Sequence, residues 1–315
     1  MPLTTTVIGS YPKPDYLGIP DWFDGLTSTE RYSAIWNRRP HDRRIKGFNF
    51  NMLTETSTRN GAWTAKLPTI TGKIELMDGN TWAAEEWRGA QNLTDTPVKF
   101  TIPGPATLIG STHNAFYDDK RTLSEDLVKV INYQIRALAK AGCRHIQLDE
   151  PVFARFPDTA LNYGIEHAER CFDGIGLEVE KTVHICCGYP CYLDQQDYQK
   201  ADQEAYFKII DKLDSAGFDA ISLEDAHRYN DLRLLDRIKK SKVVLGAVTI
   251  ANSRVETVEE IRNRLEEVLR HIPASRLMVS PDCGLGFLPP PILKEKLANM
   301  VAAAKSIQCD PEVIC

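Results

Sequence analysis

The sequence lacks the features that mark several common classes of protein. No apolar run approaches the ~18 residues that a membrane-spanning helix needs, and the first six residues, MPLTTT, have neither the positive charge nor the apolar core of a secretory signal. The formal net charge of −5 leaves no excess of basic residues for nucleic acid or an anionic membrane surface. We therefore expect a cytoplasmic protein that binds neither nucleic acids nor membranes.

Other absences bear on the architecture. The chain has no low-complexity linker, no internal repeat and no GxGxxG motif after the first candidate strand. Its 315 residues fit either two average domains or one α/β barrel. Without a linker, we predict a single domain over residues 1–315 with long loops after strands 1 and 2. These loops are residues 11–47 and residues 60–96, and we predict the second to be a hairpin or a lid.

Short apolar runs alternate with amphipathic stretches along the chain. Turn residues bound each of eight such runs, which predicts eight strands. Two of the amphipathic stretches begin with capping boxes, at Thr122–Glu125 and at Thr257–Glu260. The alternation favours a parallel sheet, and eight units predict a (βα)8 TIM barrel rather than an open doubly wound sheet. The eight runs are residues 5–9, 48–53, 98–102, 144–148, 181–185, 219–223, 242–250 and 276–279.

Eight cysteines are many for a chain expected in the cytosol, where disulfides are rare. His184 and Cys186 are two residues apart on a candidate strand, so their side chains point to the same face. Glu224 and Cys283 follow two other candidate strands, and the active site of a barrel lies at the carboxyl ends of its strands. Two thiolates, an imidazole and a carboxylate favour zinc over harder cations. The alternative is that these residues are only packed strand ends.

The other six cysteines are predicted to be reduced residues outside the site. The spacing from Cys187 to Cys191 is not that of a CxxC pair, so a redox motif has no support. His227 lies just beyond Glu224 and is either a rim residue or an acid–base group of the site. The six cysteines are Cys143, Cys171, Cys187, Cys191, Cys309 and Cys315.

Six motifs, taken together, resemble the catalytic carboxyl-terminal barrel of cobalamin-independent methionine synthase. The resemblance implies a (βα)8 barrel and a zinc ion that holds the homocysteine thiol as a thiolate. It assigns the zinc ligands to His184, Cys186, Glu224 and Cys283, and substrate binding to Ser10, Asp149 and, with a register shift of about one residue, Glu55. The motifs are Thr4–Ser10 (TTTVIGS), Asn92–Phe100 (NLTDTPVKF) with Gly104-Pro105, Ile146–Pro151 (IQLDEP), His184–Cys186 (HIC), Ile221–Glu224 (ISLE) and Ser280–Leu285 (SPDCGL).

Three departures from the family pattern concern the methyl donor. The family's histidine acid falls on Ala251, which leaves His227 as the candidate replacement. The tryptophan that stacks on folate is not kept in Ala106–Tyr117, and the chain is expected to have one barrel where the folate enzyme has two. Methyltetrahydrofolate needs a proton on its departing nitrogen, whereas methylcobalamin does not. We therefore expect a donor other than, or in addition to, methyltetrahydrofolate, with a corrinoid or accessory protein as an optional partner.

Three hypotheses follow for the function. The leading one is a zinc-dependent methyltransferase that converts homocysteine to methionine. The second is a zinc-dependent alkyl-thiol transferase or C–S lyase of the same barrel family that acts on another thiol. The third is a degenerate barrel that binds zinc and a thiol without turnover.

Overall fold

Strands and helices alternate along the part of the chain that the computed structural model describes, which is residues 2–12, 45–58, 63–77, 79–190 and 192–307. The strands are β1 Thr4–Thr5, β2 Ile45–Thr58, β3 Trp63–Leu76, β4 Phe100–Pro103, β5 His113–Asn114, β6 His145–Asp149, β7 Glu180–Ile185, β8 Ala220–Leu223, β9 Lys242–Val248 and β10 Leu277–Pro281. The α-helices are α1 Trp82–Gln91, α2 Pro105–Gly110, α3 Lys120–Ala141, α4 Pro157–Thr159, α5 Ile165–Arg170, α6 Ala205–Ser215, α7 Val258–Val268 and α8 Pro290–Ser306. A π-helical turn, Ala160–Gly164, joins α4 to α5, and 3-10 helices span Leu232–Arg237 and Ala274–Arg276.

Residue packing divides the chain into two compact units. The terminal unit consists of Met1–Gly18 and Val183–Cys315, and the middle unit is Ile19–Thr182. The prediction of a single domain over residues 1–315 stays a prediction. None of the helices in the described ranges is long and apolar enough to cross a membrane.

The terminal unit is built on parallel strands. β1 pairs with β10, β10 with β9 and β9 with β8, and β7 is the next neighbour of β8. The strand side chains are buried almost without interruption, as in β9, where six consecutive residues are buried. Continuous apolar runs of this kind are typical of parallel strands covered on both faces. The register between β9 and β10 shifts after Ser280, next to the turn that carries Cys283.

The middle unit combines a parallel pair with an antiparallel hairpin. β4 and β6 pair in parallel, with Phe100 opposite Ile146 and Pro103 opposite Asp149. β2 and β3 form the hairpin, and β3 also pairs in parallel with the short β5. The predicted barrel strand at residues 48–53 is therefore wrong, because this run lies inside β2. A short apolar run does not reveal whether its partner is parallel or antiparallel, and here the partner is the next segment of the chain.

One of the two predicted capping boxes is present in the structure. Thr257 and Glu260 form the predicted capping box at the start of α7, and Gly142 ends α3 in the left-handed conformation with φ 108°. The box at Thr122–Glu125 is wrong: α3 begins at Lys120, and the Asp119 carboxylate accepts from the Thr122 amide at 2.9 Å. Most of the predicted loop at residues 11–47 lies outside the described residues, whereas the segment 60–96 contains β3 of the hairpin and α1.

Candidate metal centre

Three side chains of the terminal unit converge at the ends of β7 and β10. His184 lies in β7, Cys186 follows it directly, and Cys283 follows β10. The His184 Nε2 and Cys283 Sγ atoms are 3.5 Å apart, and the ligand atoms of all three residues lie within 4.8 Å of one another. All three residues are buried, with between 2% and 6% of their surface exposed. The alternation of side chains along β7 brings His184 and Cys186 to one face, as their spacing predicts.

This trio of donor atoms fits a zinc ion. In a tetrahedral site with Zn–S near 2.3 Å and Zn–N near 2.0–2.1 Å, a sulfur and a nitrogen ligand lie about 3.6 Å apart. The observed 3.5 Å between Cys283 Sγ and His184 Nε2 is close to this separation. The His184 Nδ1 atom hydrogen-bonds with Ser222 Oγ at 2.9 Å, which orients the ring and leaves Nε2 directed at the other two donors. A histidine with two cysteines is also a ligand set that suits zinc chemically.

Glu224 does not belong to this trio. Its carboxylate groups instead with His227 and Asp282, whose ligand atoms lie within 4.8 Å of one another and of Glu224. One carboxylate oxygen forms an ion pair with Lys200, and the other accepts from the Cys187 amide at 3.0 Å. Burial raises the pKa of Glu224 above its ordinary value, and the neighbouring Lys200 opposes that rise. The structure thus brings three of the four candidate ligands together and gives the fourth other partners.

His227 is held by hydrogen bonds at both ring nitrogens. Nδ1 lies 2.5 Å from Asp282 Oδ2, and Nε2 accepts from the amides of Ile250 at 3.3 Å and Ala251 at 3.1 Å. An Nε2 atom that accepts from an amide carries a lone pair, so the proton of the neutral ring is on Nδ1. His227 therefore ties the segment after β9 to Asp282. In this arrangement His227 has no proton on Nε2. Ala251 lies at the position of the family's histidine acid and contributes only its main-chain amide to this contact.

Asp282 is a site residue to which sequence reasoning gave no role. Its carboxylate accepts from the amides of Asp225 at 3.0 Å, Ala226 at 2.9 Å and His227 at 2.7 Å. Although burial works in the opposite direction, these hydrogen bonds and His227 lower the pKa of Asp282. A Cβ atom at Gly246 would lie 2.1 Å from Asp282 Oδ1, so only glycine leaves room for this carboxylate. Asp282 is the aspartate of the SPDCGL motif, but the motif does not show that its partner is His227.

Ser10 lies next to the turn that follows β10. Its carbonyl oxygen accepts from the Leu285 amide at 2.7 Å, and its hydroxyl oxygen is 3.3 Å from the position a Cβ of Gly284 would occupy. Ser10 itself is exposed. The first predicted substrate residue thus lies beside the glycine that directly follows Cys283.

The other two predicted substrate residues belong to the middle unit. Asp149 ends β6, is buried, and accepts from Gln147 Nε2 at 2.7 Å. Gln147 in turn accepts from Lys99 Nζ at 2.6 Å. Burial lowers the pKa of Lys99 to about 8, while Asp149 and Glu180 act in the opposite direction. Glu55 is exposed in β2, where its backbone faces that of Lys66 across the antiparallel hairpin.

Glu150, beside Asp149, explains two of the motifs structurally. Its carboxylate accepts from the amides of Ala106 and Thr107, each at 2.9 Å, at the start of α2. A Cβ at Gly104 would lie 2.2 Å from Glu150 Oε1. The Gly104-Pro105 and Asp149-Glu150-Pro151 motifs are therefore two halves of one contact, in which the glycine makes room for the buried carboxylate.

Three of the remaining cysteines lie in the described residues and are buried thiols. Burial raises the pKa of Cys143 to about 11 and that of Cys187 to about 12, and it raises the pKa of Cys171 well above its ordinary value. Among the described cysteines there is no disulfide. These three thiols stay protonated at neutral pH, which agrees with their prediction as residues outside the site. Cys191, Cys309 and Cys315 lie outside the described residues.

A family model and two relatives match most of the length of this chain. The model of the family "Cobalamin-independent synthase, Catalytic domain" matches residues 41–306. The methionine synthase of Saccharolobus solfataricus is 30% identical over 338 residues, covering 97% of this chain and 95% of the relative. The methionine synthase of Pyrococcus furiosus is 28% identical over 348 residues, covering 98% and 94%.

A solved structure gives the same result for the fold. The B12-independent methionine synthase from Shewanella sp. W3-18-1, in complex with selenomethionine, superposes with a TM-score of 0.81 at 25% identity, covering 96% of this chain and 97% of that one. This match confirms the predicted (βα)8 class. The matched family is cobalamin-independent, so a corrinoid or accessory partner gains no support from it. The chain therefore belongs to the cobalamin-independent methionine synthase family, a family of methyltransferases whose catalytic domain it matches over most of its length.

Proposed function

We propose that this protein is a zinc-dependent methyltransferase that transfers a methyl group to the thiol of homocysteine and releases methionine. Family membership supports homocysteine as the acceptor. The observation that carries the zinc proposal is the buried trio of His184, Cys186 and Cys283, with Nε2 and Sγ 3.5 Å apart. Zinc held there supplies a positive charge that keeps a substrate thiol, whose free pKa is about 8.5, in the thiolate form.

The protein's own residues orient the reactants. Ser222 fixes the His184 ring through Nδ1, and Asp282, directly before Cys283, accepts from the amides of Asp225 and Ala226 in the segment after β8. In the reaction a sulfur–methyl bond forms and the donor–methyl bond breaks, while the thiol proton leaves to solvent. We propose that Ser10, Asp149 and Glu55 bind the polar groups of the amino-acid substrate. Ser10 has support from its contact with the Cys283 turn, whereas the exposure of Glu55 gives it the least support.

The residues near position 251 bear on the methyl donor. The Ala251 amide donates to His227 Nε2. In this arrangement the His227 ring has no Nε2 proton to donate to the methyl donor. Departure of the folate nitrogen requires a proton, whereas departure of a corrinoid does not. We therefore propose a donor other than, or in addition to, methyltetrahydrofolate. Product analysis with each donor tests this proposal, and methionine formed from methyltetrahydrofolate and from no other donor would contradict it.

Bound zinc tests the ligand assignment. We expect about one zinc per chain in the wild type and strong loss in Cys186→Ser and Cys283→Ser, because each removes a thiolate donor. Cys187→Ser is the matched control, since this buried cysteine lies outside the trio and should keep its zinc. Full zinc occupancy in either ligand variant would refute the assignment.

Product analysis tests the reaction. We expect the zinc-loaded protein to convert homocysteine to methionine with one of the donors above. Consumption of another thiol or thioether without methionine formation would instead support the alkyl-thiol transferase or C–S lyase. Zinc and thiol binding without any turnover would support the degenerate barrel.

A further inference from the structure

We infer that Lys99 and Gln147 are positioning residues that hold the Asp149 carboxylate in the orientation that binds the amino group of the substrate. The inference rests on the proposed function, because it takes Asp149 as a residue that binds the amino acid. A carboxylate complements an ammonium group in charge and in hydrogen bonding. Lys99 and Gln147 lie in two of the six motifs, yet the resemblance assigns neither of them a role.

The three side chains form a row of hydrogen bonds within the middle unit. Lys99 directly precedes β4, and Gln147 and Asp149 lie in β6, the parallel partner of β4. Lys99 Nζ donates to Gln147 Oε1 at 2.6 Å, and Gln147 Nε2 donates to Asp149 Oδ1 at 2.7 Å. Because Gln147 and Asp149 are two residues apart on a strand, their side chains lie on the same face. The row therefore leads from the lysine to the carboxylate.

The two partners of Gln147 fit only one orientation of its amide group. A lysine ammonium has donors and no acceptor, and an ionised carboxylate has acceptors and no donor. Although burial lowers the pKa of Lys99 to about 8, the ammonium form still prevails at neutral pH. Gln147 must therefore turn Oε1 to Lys99 and Nε2 to Asp149. Loss of Lys99 removes a donor that holds the amide in this orientation.

Burial makes the orientation of Asp149 depend on this donor. Gln147 is 0% exposed and Asp149 is 3% exposed, so bulk water does not replace a lost partner. The terminal torsion of an aspartate is broad and roughly two-fold, so hydrogen bonds decide where its oxygens lie. The donor at Gln147 Nε2 fixes Oδ1 and, with it, the plane of the carboxylate. A rotated carboxylate would meet an ammonium group at a poorer angle, and a hydrogen bond weakens steeply with angle.

Two thiols distinguish positioning of the amino group from a general structural role. Homocysteine carries the amino group, whereas 4-mercaptobutanoate has the same thiol, carbon chain and carboxylate without it. Isothermal titration calorimetry on the zinc-loaded full chain at neutral pH gives the dissociation constant of each thiol. A residue that positions Asp149 for the amino group affects only homocysteine, whereas a variant with a damaged fold loses affinity for both thiols.

Five variants are compared: Gln147→Met, Lys99→Met, Lys99→Arg, Asp149→Asn and the double variant Lys99→Met/Gln147→Met. Methionine has nearly the shape of glutamine or of the lysine stem but cannot take part in the row of hydrogen bonds. Arginine keeps the charge and has donors without an acceptor, as lysine has.

Gln134→Met is the matched control for Gln147→Met. Gln134 is also a buried glutamine, with 2% of its surface exposed, and it too is bonded at both ends of its amide. Its Oε1 accepts from the Ala83 amide at 3.4 Å, and its Nε2 donates to the Asn80 carbonyl at 2.7 Å. This substitution removes a buried glutamine from α3 without touching Asp149.

The variants are expected to differ in homocysteine affinity alone. Gln147→Met should bind homocysteine roughly tenfold more weakly, as loss of a hydrogen bond to a charged group predicts, and Asp149→Asn at least as weakly. Lys99→Met should lose roughly fivefold, whereas Lys99→Arg should match the wild type. The double variant should be no weaker than Gln147→Met, because the lysine acts through the glutamine. The affinity for 4-mercaptobutanoate should stay unchanged throughout, and Gln134→Met should bind both thiols as the wild type does.

Several outcomes would overturn the inference. Equal losses for both thiols in Gln147→Met would show a general structural role. Unchanged homocysteine affinity in Lys99→Met would remove the lysine from the row, and independent losses that multiply in the double variant would show that it acts by charge and not through Gln147. If Gln147→Met does not fold, the comparison of Lys99→Met with Lys99→Arg still decides.

Failure of the proposed function gives a different result. In that case the wild type binds neither thiol, or Asp149→Asn binds homocysteine as tightly as the wild type does. Either result would also overturn the inference, because the carboxylate would then have no amino group to bind. Failure of the inference alone leaves homocysteine binding and its dependence on Asp149 intact.

Discussion

Substitution of Gly246 by alanine adds one methyl group and no chemistry, yet it should disturb the metal centre. Gly246 lies in β9 opposite Ser280 of β10. An added Cβ would lie 2.1 Å from Asp282 Oδ1 and 2.7 Å from Asp282 Cα. Because the second atom belongs to the backbone, a change of side-chain rotamer cannot relieve the clash. Either β9 and β10 separate or the Asp282 carboxylate leaves its position.

The magnitude follows from the partners of Asp282. Its carboxylate accepts from three main-chain amides and lies 2.5 Å from His227 Nδ1. Displacing a buried, hydrogen-bonded carboxylate from its partners destabilises a protein by about 3–5 kcal/mol. We expect Gly246→Ala to lower the free energy of unfolding by about this amount. The adjacent Cys283 should shift with Asp282, so zinc affinity should also fall.

Urea unfolding and chelator competition measure the two effects. The matched control is Gly89→Ala in α1, where an added Cβ has no atom within 4 Å and where alanine should gain about 0.5–1 kcal/mol through its better helix propensity. If Gly246→Ala keeps the stability and zinc content of the wild type, Asp282 is not held as described and the reasoning is refuted.

Three further predictions concern caps, pH and thiols. Thr257→Ala removes the side-chain half of the capping box of α7 and should cost about 1 kcal/mol in urea unfolding; an unchanged midpoint would contradict the role of the cap. Burial raises the pKa of Glu150 to about 8, so the folded protein binds its proton more tightly than the unfolded chain does. Its contribution to stability is therefore complete below pH 4.5 and is lost as the pH rises through about 8. Glu150→Gln should flatten this fall in unfolding free energy, and an equally steep fall in the variant would count against it. Cys143 and Cys187 should remain unlabelled by a maleimide at pH 8 in native protein, as read by peptide mass spectrometry, and fast labelling would contradict their burial.

Most of the fold prediction rests on the spacing of residues that are close together in the sequence. The capping box of Thr257 and Glu260 depends on residues within one helical turn of each other, and the structure confirms it. The run 48–53 was recognised as a strand but given the wrong partner, because periodicity reports burial and says nothing about strand direction. The pattern Thr122–Glu125 predicts Thr122 as the cap of α3, whereas the Asp119 carboxylate is the group that caps this helix.

In the candidate site, too, contacts between residues close in the sequence are predictable, and contacts between distant residues are not. His184 and Cys186 are two residues apart at the end of β7, so their shared face follows from the two-residue period of an extended chain. Cys283 could be added because its motif follows a strand in the same sheet. The same reasoning predicts that Glu224 joins them, yet its carboxylate pairs with Lys200.

The sequence by itself determined the alternation of strands and helices, the position of His184 and Cys186 at the end of β7, and the family to which the chain belongs. Each of these rests on the order and spacing of residues, which the chain carries without folding. The tertiary structure alone decided that Lys200 neutralises Glu224, that His227 turns its Nε2 atom to the amide of Ala251, and that Gly246 leaves room for Asp282. These are contacts between residues far apart in the chain, and their partners are selected by burial and charge balance once the strands have packed.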